Sequence, residues 1–169
     1  HKISDRLVKK SLHIHDLGSV DKETQALLMK GLDSSDTSEV IYSINVLTAL
    51  DSKHSEQYVS KLFNINNSAS WECALRVIEN LKLHTYLTHV KAILLDQEKA
   101  LELRAHALRV YTKLSTPDHE FMHSFMKNES APIQKEALVA LIANQDDKAI
   151  AILQQHFSSP QKDDLMLAL

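Results

Sequence analysis

Apolar and polar positions follow a helical period along most of the chain, and this pattern repeats. Four eight-residue segments begin with a small residue and carry apolar residues three and four positions apart; they span 43–50, 74–81, 107–114 and 137–144. Their first residues are 31, 33 and 30 positions apart. Apolar residues at this spacing form one stripe along a helix. The pattern therefore predicts four similar amphipathic helices, each with a small residue where a neighbouring helix can approach closely.

A second amphipathic segment follows each of the four, after a short polar break. These segments span 55–63, 86–94, 118–126 and 148–157. The repeating unit is thus a helical hairpin, with an incomplete unit at 21–30 and another beginning at 160. One hairpin cannot cover its own apolar face, so neighbouring hairpins must stack to bury a continuous core. We predict an all-α fold, a right-handed α-solenoid of about four to five hairpins; a closed helical bundle is the alternative.

The polar breaks contain residues that are typical of helix ends. Gly31 stands where a left-handed C-terminal cap is expected. Prolines at 117, 132 and 160 stand where helices are expected to begin, because proline lacks only an N–H that is unpaired there. Ser68 and Ser130 are predicted N-caps.

Two first-helix segments carry a family pattern. Residues 103–108, Leu-Arg-Ala-His-Ala-Leu, and 133–138, Ile-Gln-Lys-Glu-Ala-Leu, resemble the first helix of HEAT repeats, and the resemblance extends over about residues 20–169. It implies HEAT-like hairpins in an array over 17–169, and it implies a fold without an activity. The family's arginine position holds Arg104 in one repeat only, with Val40, Trp71 and Gln134 in the others. The Asp–Arg ladder that usually connects HEAT repeats is therefore not expected here.

A narrower resemblance concerns residues 17–50. They are similar to the HEAT-containing soluble extension of bacterial transporters of the nucleotide-translocase, major-facilitator type. This resemblance implies, as an alternative function, a soluble regulatory extension of a membrane transporter. The chain begins with His1 and ends inside a predicted helix, so we expect a segment of a longer, cytoplasmic bacterial protein.

Composition excludes several classes of protein. The 169 residues suit one domain, and two glycines leave no glycine-rich phosphate loop. The single Cys73, predicted to be buried, excludes an intramolecular disulfide and a cysteine-rich zinc site. A net charge of −3 is unlike the basic field of a nucleic-acid-binding protein. Residues 1–16 carry an excess of positive charge and an apolar stripe, and they are predicted to form a basic capping helix on the first repeat.

One motif suggests metal chemistry. His119-Glu120-Phe121-Met122-His123 has the H-E-x-x-H form, in which two imidazoles on one helix face bind zinc and the glutamate acts as a general base. A third ligand is needed, and only Glu129 and Glu136 follow close by. A solvated helix flank explains the motif better, so we predict no metal, no cofactor and no enzymatic activity. A zinc-dependent hydrolase stays as a minor alternative.

The concave face of the predicted array, lined by second helices, is the expected binding surface. It is polar, mixed in charge and poor in aromatic residues, which is unlike a surface that stacks RNA bases. We therefore predict a non-catalytic scaffold that binds a protein partner or another domain of the same chain, not nucleic acid, and meets a membrane only through other segments. The predicted contact residues are Gln57, Ser60, Lys61, Thr88, Lys91, Glu120, His123 and Ser124.

Overall fold

The computed structural model describes residues 22–116, 118–128 and 130–158, and these ranges contain α-helices and two short 3-10 turns but no β-strand. The predicted all-α class is confirmed for them. The helices are α1 (Lys22–Gly31), α2 (Thr37–Leu50), α3 (Ser55–Asn64), α4 (Ser68–Leu81), α5 (Leu87–Leu95), α6 (Leu101–Leu114), α7 (His119–Asn128), α8 (Ala131–Ala143) and α9 (Asp147–Ser158). The predicted capping helix at 1–16, Pro117, Glu129 and residues 160–169 lie outside the described residues.

The predicted first helices are α2, α4, α6 and α8, and the second helices are α3, α5, α7 and α9. The chain divides into two compact units, His1–Val77 and Ile78–Leu169. In the first unit α2 packs against α1 and α3. The apolar stripes of the helices in this unit supply its fully buried side chains, among them Leu28, Ile44, Val59, Leu62 and Leu75.

In the second unit, most contacts between helices involve α6 and α8, which are both first helices of the repeat. Helix α6 contacts α5 and α8, and α8 also contacts α7 and α9. Ala107 on α6 and Ala137 on α8 are both fully buried. A small buried residue on each of two contacting helices is what the repeated segments predicted.

Trp71 and Cys73 on α4 both lie in the first unit. The indole Nε1 of Trp71 donates a hydrogen bond to the Phe63 carbonyl oxygen on α3, at 3.3 Å. Cys73 is fully buried, and burial raises the pKa of its thiol. Both residues therefore hold helices together, and the thiol stays protonated and unreactive at neutral pH.

Gly31 is not the left-handed cap that the sequence predicted. It is the last residue of α1, and no glycine among the described residues has a positive φ. The left-handed positions after α3, α4 and α8 are occupied by Asn66, Lys82 and Gln145 instead. A Cβ at position 31 would collide with the side-chain hydroxyl of Ser43 on α2, so that side chain would have to shift to admit an alanine. Close helix approach, and not backbone conformation, fixes this residue.

Gly31→Ala is expected to destabilise the first unit by about 1–3 kcal/mol, because overpacking outweighs the better helix propensity of alanine. Chemical unfolding monitored by circular dichroism measures the loss. The Gly31→Ala/Ser43→Ala double variant removes the colliding oxygen and should recover most of it. An equal loss from Gly31→Ala in both backgrounds would show that Ser43 is not the cause.

Two predicted N-caps also need correction. Asn67, not Ser68, caps α4: its Oδ1 accepts a hydrogen bond from the Ser70 N–H at 2.9 Å. Ser130 stands at the N-cap position of α8, but its side chain makes no capping bond, and its buried hydroxyl has no partner among the described residues. Pro132 lies in the first turn of α8, as predicted.

A charged network joins three first helices in the second unit. Glu79 at the end of α4 accepts hydrogen bonds from His106 and Lys113 on α6. Arg109 lies 4.0 Å from Glu79 and 3.8 Å from Glu136 on α8. Burial raises the pKa of Glu79, but the two hydrogen bonds and the charge of Arg109 outweigh it and hold the pKa below its usual range. This network connects α4, α6 and α8 through glutamates and not through an Asp–Arg ladder.

Arg104, the residue at the HEAT arginine position, has a different role. It is almost fully buried on α6, and its Nε donates a hydrogen bond to the Leu94 carbonyl oxygen at 2.9 Å. Leu94 lies in the last turn of α5, where carbonyl oxygens lack helical partners. Arg104 therefore ties the end of α5 to α6.

Candidate functional site

A cleft lined by ionisable residues lies where α7 meets the start of α9. Its volume is about 580 Å³, and it is lined by His119, Glu120, His123, Lys127, Asp146 and Lys148. The first four residues belong to α7, and their spacing places His119 and His123 one turn apart. The H-E-x-x-H motif thus forms one wall of the cleft, and the residues around the start of α9 form the other.

Asp146 connects the two walls. It stands directly before α9, and its Oδ1 accepts a hydrogen bond from the Ala149 N–H at 2.9 Å, which caps the helix. Its Oδ2 accepts hydrogen bonds from His119 Nδ1 at 2.7 Å and from His123 Nε2 at 3.2 Å. An ionised carboxylate only accepts, so each of these imidazole nitrogens carries a proton. We call His119, Asp146 and His123 the clamp.

Three hydrogen bonds keep Asp146 ionised. The Ala149 N–H lowers the pKa of its carboxyl most; burial opposes this, and the hydrogen bonds from His119 and His123 lower it further, to about 2. The Asp146 side chain is only 8% exposed, whereas that of His119 is 52% exposed. The carboxylate is therefore turned inward between the helices, and the imidazole of His119 faces the solvent.

The clamp changes the interpretation of the H-E-x-x-H motif. The residue that meets both histidines is Asp146, and not either glutamate that the sequence offered as a third ligand: Glu129 lies outside the described residues, and Glu136 is near Arg109. Within the described ranges, no group of three histidine, cysteine, aspartate or glutamate side chains is arranged to hold a metal ion. Lys127 and Lys148 line the same cleft.

The predicted contact residues divide between the two units. Gln57, Ser60 and Lys61 lie on α3 in the first unit, where Lys61 forms an ion pair with Asp33 at 2.8 Å. Thr88 and Lys91 lie on α5 in the second unit, with Glu120, His123 and Ser124 on α7. Only Glu120 and His123 of the eight line the cleft.

Lys91 contacts α7 through an aromatic ring. Its Nζ lies 4.9 Å from the ring centre of Phe121, the residue after Glu120. Phe121 in turn packs edge-on against Phe125, with ring centres 4.9 Å apart. Lys91 therefore has a cation–π contact that fixes it beside α7.

Sequence reasoning missed three residues of the cleft, namely Lys127, Asp146 and Lys148. An aspartate directly before an amphipathic helix is a typical N-cap, and this signal could have identified Asp146 as a fixed carboxylate. Its pairing with residues 23 and 27 positions earlier had no signal in the sequence.

Comparison with known proteins assigns no relative. The chain matches no family model, no curated protein and no solved structure. Among the described residues, no helix is both long enough and apolar enough to cross a membrane. Function must therefore be inferred from the residues of the cleft and of the second helices.

Proposed function

We propose that the chain is a non-catalytic helical-repeat module, a right-handed α-solenoid of HEAT-like hairpins, which binds a protein partner or another domain of the same chain. The exposed face of the second helices is the contact surface. The observation that supports this proposal is the exposure of the predicted contact residues: six of the eight are exposed, and Lys61 and His123 are half-buried.

The burial pattern of α5 supports the same proposal. Helix α5 buries only Val90, Ile93 and Leu94 of its nine residues. Its polar residues Thr88 and Lys91 are exposed and thus available to a partner. A polar surface of mixed charge gives modest affinity that depends on shape and on a few charge pairs.

Site-specific photocrosslinking tests the proposal. A photoreactive amino acid is placed singly at Gln57, Thr88 or Ser124 on second helices. Matched controls carry it at Ser38, Glu102 or Val139, which are exposed on first helices. After irradiation in the native host cells, we expect a discrete adduct from the second-helix positions and none from the controls.

The identity of the adduct assigns the partner. A crosslink to another protein supports an intermolecular contact, and a crosslink within one longer polypeptide supports a contact with another domain, including a transporter. Equal labelling from both sets of positions, or no adduct from the second helices, would overturn the proposal.

A further inference from the structure

We draw no further inference here: the strongest candidate, the cleft between α7 and the start of α9, belongs to the site already described, and its two lysines are offset by Glu120 and the ionised Asp146.

Discussion

Ala107→Asp is expected to unfold the second unit, at a cost of several kcal/mol. Ala107 is fully buried on α6, a helix that contacts both α5 and α8. An aspartate there would bury an unpaired carboxylate and would also force the helices apart, and each effect is strongly destabilising. Because α6 and α8 carry most of the contacts in this unit, the damage should spread to the neighbouring helices and not stay local.

Thermal melts and amide hydrogen exchange measure this effect. Ala92→Asp is the control, since Ala92 is exposed on α5 and gives the same side-chain change without burial. Leu141→Asp on α8, where Leu141 is 1% exposed, should behave like Ala107→Asp. A native-like melt of both buried variants, or loss of exchange protection confined to α6, would contradict the expected coupling between contacting helices.

The sequence predicted the helices well because the spacing of apolar residues along a helix is a local property of the sequence. The segment at 107–114 has small and apolar residues at helical spacing, and the structure buries Ala107, Leu108, Val110 and Leu114. The stripe can be recognised in one short stretch of sequence without knowledge of its partner. In contrast, Gly31 was interpreted through its backbone freedom, and the deciding contact comes from Ser43 on another helix.

The candidate site was predictable only in part, for the same reason. The spacing of His119 and His123 correctly placed both imidazoles on one face of α7. Nothing local indicated that Asp146 would meet them, because that contact depends on how α9 begins beside α7. The charges of Glu79 and Arg109 likewise acquired a role only when α4, α6 and α8 came together. Contacts between helices, unlike helices themselves, are not encoded in short windows.

Asp146→Asn is expected to lower the free energy of unfolding at pH 6 and to lose this effect in acid. The pKa of Asp146 is about 2 in the folded protein, below its ordinary value of 3.8, so the fold favours the ionised form. The stabilisation is therefore complete above the ordinary value and is lost as pH falls from about 4 to about 2. Urea unfolding at a series of pH values should show the two proteins converging over that interval.

Asparagine is a stringent substitution because it retains the capping oxygen for the Ala149 N–H. In asparagine an amide nitrogen takes the place of Oδ2, so an N–H₂ group would face the donor nitrogens of His119 and His123. Asp147→Asn is the matched control, since Asp147 is the next residue, is exposed and lies in the first turn of α9. If the two variants lost equal stability at pH 6, or if the loss from Asp146→Asn were constant down to pH 2, the clamp would not be a charged contact between α7 and α9.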